Sequence, residues 1–144
     1  MKSPESFSKP EAEMAVSPES NEGLASIIST LQEIHTRYRE FVKASDESLL
    51  KGKDSAGYHE NLESAARLFV DLPEQIAPWL DGLDQEVKTR ITDSVGYFST
   101  TAQRVIEDGN DLGMGVLLTP PGSKMGDKDN LQKLIAYLKR KQGG

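Results

Sequence analysis

The sequence contains no cysteine, and this absence excludes several kinds of chemistry. Disulfide bonds, thiol nucleophiles and metal centres with cysteine ligands are all ruled out. There are two histidines, His35 and His59, so a catalytic triad or a histidine-rich metal site has few possible members. We therefore predict no catalytic residue, no metal site and no cofactor.

Long apolar runs are also missing. A run such as residues 116–118 is far shorter than the roughly 20 residues of a membrane-spanning helix. The polar N-terminal residues lack the apolar segment of a Sec signal peptide. We expect a cytoplasmic protein without membrane contact, and secretion by a route other than Sec is an alternative.

Acidic residues outnumber basic ones, but the two are unevenly distributed along the chain. The net charge is −6; residues 23–112 carry 9 basic and 16 acidic side chains, whereas residues 113–144 carry 6 and 2. An acidic body repels phosphate groups, so we expect no binding to nucleic acid. The basic residues 139–141 fit the C-terminal end of a helix, where cations are favoured.

The N-terminal residues differ in composition from the rest of the chain. Residues 1–20 are rich in Ser, Pro and Glu and repeat the motif Ser-Pro-Glu-Ser at residues 3–6 and 17–20. Because few apolar residues are present, we predict a disordered tail over residues 1–20. The tail is either dispensable or a targeting, secretion or phosphorylation segment. Residues 21–144 are predicted to form one domain.

Apolar residues recur at three- and four-residue steps in several stretches, which is typical of helices that bury one face. The first such stretch predicts a helix over residues 22–45, and the second runs from Tyr58 to Leu72. Pro73 predicts a break, because proline lacks the N–H that continues a helix but fits the first turn of a new one. We expect a short helix from there to about residue 80.

Two further helices are predicted in the second half of the chain. One covers residues 84–108 and ends at Gly109, which can adopt a left-handed C-cap. The other covers residues 130–141, with Asp127 or Asp129 as its N-cap. Between them, glycines and prolines over residues 112–126 predict a long loop without a stable helix.

Together these elements predict an all-α fold. We expect an antiparallel bundle of about four main helices, with one short extra helix and a long Gly/Pro loop before the last helix. The first helix also shows seven-residue spacing of apolar residues, as in a coiled-coil seam. A homo-oligomer formed through the helix at residues 22–45 is therefore possible.

Each histidine has an ordinary structural interpretation. His35 falls on the apolar stripe of the first helix, so we expect a partly buried histidine with a hydrogen-bond partner. His59 precedes Glu63 by four residues and is expected to form a surface pair with it. One histidine and one carboxylate do not complete a metal site.

The segment at residues 119–128 deviates most from ordinary bundle chemistry. It combines prolines, glycines, hydroxyl groups and lysines just before a helix N-terminus, where exposed N–H groups attract anions. The candidate ligand-binding residues are Thr119, Ser123, Lys124 and Lys128. The segment lacks the spacing of a phosphate-binding P-loop, and Asp127 opposes an anion. A rigid packing loop and a partner-binding segment are the alternatives.

Two apolar segments either pack against the bundle or contact a partner. One surrounds the only tryptophan, which is flanked by prolines, and the other is rich in methionine and leucine. The candidate partner-binding residues are Trp79, Met114, Leu117, Leu118 and Met125.

The sequence does not bring together an acid, a base and a nucleophile, and its clearest features, the regularly spaced apolar residues, indicate packing. We therefore expect a non-enzymatic protein–protein interaction module, that is, an adaptor, a regulator or an assembly subunit, with a protein as its partner. One alternative is a secreted effector or an acidic inhibitor of the immunity type, whose N-terminal tail is a signal. Another is a small-ligand or phosphate-binding protein that uses the loop at residues 119–128.

Overall fold

The computed structural model describes residues 18–143, with side chains from residue 22 onward. No β-strand occurs in this range, so the predicted all-α fold class is confirmed. None of the helices described is long and apolar enough to cross a membrane. The elements are α1 Pro18–Gly52, α2 Ser55–Arg67, α3 Leu72–Ile76, a 3₁₀ turn Ala77–Trp79, α4 Gln85–Glu107, α5 Asp111–Gly115 and α6 Asn130–Gly143.

Helix α1 is longer than predicted at both ends. Beyond residue 45 the chain meets no proline or glycine until Gly52, and Glu47 pairs with Lys51 one turn later at 3.9 Å. The helix ends where Lys53 adopts a left-handed φ of 50°. Most of the tail predicted at residues 1–20 lies outside the described residues, and α1 already includes residues 18–20.

Helices α1 and α2 form an antiparallel hairpin with a very short connection. Asp54 caps α2, because its carboxylate accepts a hydrogen bond from the Gly57 N–H at 2.9 Å. Phe69, just beyond α2, packs edge-on against Tyr38 of α1 with ring centroids 5.5 Å apart. Helix α2 ends at Arg67, earlier than predicted, because residues 68–71 form turns.

The predicted break at Pro73 and the predicted bounds of α4 are confirmed, whereas the short helix ends at Ile76, earlier than predicted. Pro73 lies in the first turn of α3, and the chain then passes through the 3₁₀ turn. Helix α4 begins after Asp84, whose carboxylate accepts from the Glu86 N–H at 3.2 Å. It ends before Gly109, which has a φ of 61°.

Helix α5 is a correction, because the glycines of residues 112–126 were expected to exclude a stable helix. The Asn110 side chain caps this short helix by accepting from the Gly113 N–H at 2.9 Å. Met114 is fully buried, and the Tyr38 hydroxyl donates to its carbonyl at 2.7 Å. Burial raises the pKa of Tyr38, so the hydroxyl remains a donor. Tertiary contacts therefore outweigh the poor helix propensity.

The core is built from the apolar faces of the four long helices and from the segments between them. The α1 stripe that could have served as an oligomer seam, including Leu24, Leu31 and Tyr38, is buried inside the chain's own core. These side chains are therefore not available to a second copy. The largest fully buried side chains are Phe69, Phe98, Ile27, Leu31, Leu72, Ile76, Ile91, Met114, Leu118, Leu131, Leu134 and Leu138.

Candidate functional site

Residues 119–129 form a closed loop between α5 and α6. The Asn130 N–H donates to the Leu118 carbonyl at 2.9 Å, so the loop starts and ends at the same place. Leu118 and Leu131, which flank it, are both buried in the core. Compact surface loops with joined ends are frequently functional, because a fixed scaffold holds their exposed residues in place.

Two successive turns give the closed loop a defined path. In the first, the Ser123 N–H donates to the Pro120 carbonyl at 3.2 Å, and Gly122 has a φ of 77°. Glycine with positive φ at the third position is typical of a type II turn. The second turn runs from Lys124 to Asp127, with a backbone hydrogen bond of 3.0 Å.

The second turn is also closed by a side chain. The Asp127 carboxylate accepts from the Lys124 N–H at 2.8 Å, and Gly126 between them has a φ of 91°. Asp127 was one of the two candidate N-caps of the last helix, but its carboxylate is used inside the loop. The tip of the loop is therefore held by hydrogen bonds rather than by packing.

Asp129 fixes the base of the loop. One carboxylate oxygen accepts from the Gln132 N–H at 2.8 Å, and the Gln132 side-chain oxygen accepts from the Asp129 N–H at 2.9 Å, which forms a capping box. The other oxygen lies 2.7 Å from His35 Nε2 of α1, so this nitrogen carries the proton and donates. The expected partly buried, hydrogen-bonded histidine is confirmed, and its partner joins the loop to α1.

The tip of the closed loop exposes a methionine beside charged side chains. Met125 is fully exposed, and Lys124 and Lys128 on either side of it are exposed as well. Neither ammonium group forms an ion pair with any residue that the structure describes. The loop therefore presents a methionine between two lysines that form no ion pair among the described residues, and the exposed Asp127 carboxylate lies in the same turn.

The structure brings together only part of the predicted ligand-binding set. Ser123 and Lys128 line one cleft of about 310 Å³, whereas Thr119 and Lys124 do not. Asp127 lies in the same cleft and repels an anion, as the sequence indicated. A phosphate cradle formed by all four predicted residues is therefore not present at this cleft.

The predicted partner-binding residues lie in three different environments. Met114, Leu117 and Leu118 are buried in the core, because α5 and the turn after it fold back onto the bundle. These three are packing residues and are inaccessible to a partner in this fold. Trp79 is half-buried against the core, and Met125 is fully exposed.

Two exposed apolar residues and a second partner of His59 were not identified from the sequence. Leu112 and Val116 lie one turn apart and are 73% and 46% exposed, and no face was assigned to them because α5 was not predicted. His59 Nε2 lies 3.4 Å from Glu63, which confirms the expected surface pair. His59 Nδ1 also lies 2.5 Å from Asp111, which raises the pKa of His59.

Within residues 18–143 we find no group of three or more His, Asp or Glu side chains that could hold a metal ion. Comparison with known proteins found no matching family model, no matching curated protein and no matching solved structure.

Proposed function

We propose that the chain is a non-enzymatic protein–protein interaction module whose closed loop, residues 119–129, contacts an acidic surface of a partner protein. Met125 enters a shallow apolar depression of the partner, and Lys124 and Lys128 pair with carboxylates around it. The exposure of Met125 at the tip of a hydrogen-bonded loop is the observation that carries this proposal.

The degree of exposure of this methionine supports the choice of contact residue. Met125 is the most exposed large apolar side chain that the structure describes, whereas the equally apolar Met114 is packed in the core. Methionine is flexible and polarizable, so it adapts to apolar depressions of different shape. Because two turns already order the loop, binding loses less conformational entropy than ordering a free segment would.

The charge near the loop indicates the chemistry of the partner. Lys124 and Lys128 are unpaired among the described residues, and α6, which follows the loop, contains four basic and no acidic side chains. The rest of the chain is acidic. This asymmetry favours one orientation of a partner with an acidic patch and raises its association rate at low salt.

Site-specific crosslinking tests the proposal. A photoreactive amino acid is placed at position 125 in the intact chain, and the matched control carries it at Leu50, an apolar residue 83% exposed at the end of α1. Each protein is irradiated in lysate of its source cells, and the crosslinked proteins are identified by mass spectrometry.

We expect one protein to be crosslinked from position 125 and not from position 50. Its affinity for the purified chain should then fall at least about tenfold when Met125 is changed to Ala, and less than about twofold when Leu50 is changed to Ala. Identical crosslinks from both positions, or an affinity unaffected by Met125→Ala, would reject the loop as the contact.

A further inference from the structure

A cleft between α1 and α6 lies beside the closed loop. Its volume is about 530 Å³, which is within the range of sites for small molecules. Helix α1 forms one wall and α6 the other, and Lys128 of the loop lies at one side. The lining residues are Gln32, His35, Thr36, Lys128, Gln132, Ile135, Ala136 and Lys139.

Several hydrogen-bond acceptors around this cleft are engaged within the protein. The Asp129 carboxylate accepts from His35 and from the Gln132 N–H, and the Gln132 side-chain oxygen accepts from the Asp129 N–H. The Thr36 hydroxyl donates to the Gln32 carbonyl at 3.1 Å. The side-chain NH₂ group of Gln132 has no acceptor among the described residues. The Gln32 side-chain amide and His35 Nδ1 also have no partner among the described residues, so the cleft has free donors and a smaller number of free acceptors.

The charges of the cleft are similarly unbalanced. Lys128 and Lys139 both line it, and neither forms an ion pair within residues 18–143. Asp127 and Asp129 flank Lys128 along the chain; Asp129 is turned toward His35 and is 12% exposed, and the exposed Asp127 carboxylate accepts from the Lys124 N–H. Two exposed ammonium groups and an amide donor are thus left without a negative partner among the described residues.

We propose that the α1–α6 cleft binds a small ligand through an oxyanion, either a carboxylate or a phosphate group. The anionic group lies between Lys128 and Lys139 and accepts a hydrogen bond from the Gln132 side chain. The rest of the ligand lies against Ile135 and Ala136. This site differs from the cradle expected at residues 119–128, and it does not depend on the loop being a protein contact.

A titration monitored by nuclear magnetic resonance tests this site in the intact chain. Inorganic phosphate and citrate are added separately at constant ionic strength, with chloride as the reference anion, and the backbone amides of Thr36 and Gln132 are followed. The cleft variant is Lys128→Gln with Lys139→Gln. The matched control is Lys43→Gln with Lys88→Gln, which removes the same charge from two lysines that do not line this cleft.

Saturable shifts at these amides are expected for phosphate or citrate, and the tighter of the two anions identifies the phosphate or carboxylate class. The cleft variant should weaken that binding at least about tenfold, and the charge-matched control at most about twofold. Circular dichroism should show that both variants remain folded. Equal weakening by both variants, or the absence of saturation by both anions, would overturn the proposal.

Discussion

Residues 112–118 and 119–126 have the same glycine and methionine content, but their methionines differ in burial. Each segment contains two glycines and one methionine. In the first, Met114 is fully buried and a helical turn forms around it; in the second, Met125 is fully exposed at the tip of a loop. Glycine content therefore does not separate a packed segment from an exposed one.

The residues around each methionine explain the difference. Leu117 and Leu118 follow Met114 and are buried with it, so folding the first segment onto the bundle removes much apolar surface from water. The second segment has two prolines, hydroxyl groups and a lysine, whose burial would not be compensated. The apolar residues of a segment decide whether it is buried. The glycines only allow the backbone conformation in which the segment packs.

The same substitution in both segments should give the largest contrast. We expect Met114→Ala to lower the free energy of unfolding by about 2–5 kcal/mol, because it leaves a cavity in the core. Met125→Ala should change it by less than about 0.5 kcal/mol, because that side chain is exposed. Urea denaturation of both variants measures the difference. Similar losses at the two positions would mean that the two segments do not differ in packing as described.

Alanine at the glycines should also cost stability, but for different reasons. A Cβ at Gly113 would lie 2.6 Å from Asn110 Nδ2, in the side chain that caps α5, and 2.8 Å from Val105 Cγ1. Gly113→Ala should therefore cost about 1–2 kcal/mol even after its gain in helix propensity. Gly122 has open space around it but a φ of 77°, so Gly122→Ala should cost about 1–2 kcal/mol through backbone strain.

A double-mutant cycle with Val105→Ala separates these two causes. Shortening Val105 removes one of the two steric clashes at Gly113 and leaves the one with Asn110, so it should still couple with Gly113→Ala by at least about 0.5 kcal/mol. Val105→Ala should be additive with Gly122→Ala, because the strain at position 122 comes from the backbone φ and not from a neighbouring side chain. Additivity at both glycines would show that Val105 does not limit the space at Gly113.

The smallest expected effect concerns pH and the docking of α5. Because Asp111 raises the pKa of His59, their contact stabilises the fold fully below the unfolded histidine pKa of about 6.5. The stabilisation is lost as the pH rises through the folded-state pKa. Asp111→Asn should therefore lower the melting temperature more at about pH 5 than at about pH 9.

The control for this pH effect is Asp46→Asn, which removes an exposed carboxylate that forms no ion pair with a described residue. The change in melting temperature caused by Asp46→Asn should be no larger at acidic pH than at alkaline pH. A loss from Asp111→Asn that is equal at both pH values would show that the charge on His59 does not help to hold α5. The effect is expected to be small because the pair is partly solvated.

The site was predicted from the sequence only in outline. The unusual composition of residues 119–128 identified the loop, and Asp129 was a candidate N-cap that the structure confirms. Its second role, as the partner of His35, was not predicted, because 94 residues separate the two. The anion cradle, one of the alternatives for this loop, was inferred from its composition and its place before a helix N-terminus. The hydrogen bond from the Lys124 N–H to the Asp127 carboxylate was not predicted.

The sequence by itself determined the helical class, the break at Pro73 and, closely, the bounds of α4 and α6. Apolar spacing, Pro73 and Gly109 act over one or two turns, so their effects are visible locally. The tertiary structure alone decided that Met114 is buried and Met125 exposed. It also decided that Tyr38 and His59 contact α5, and that α1 and α6 enclose the cleft. These outcomes depend on contacts between residues far apart in the chain, and no local pattern records such contacts.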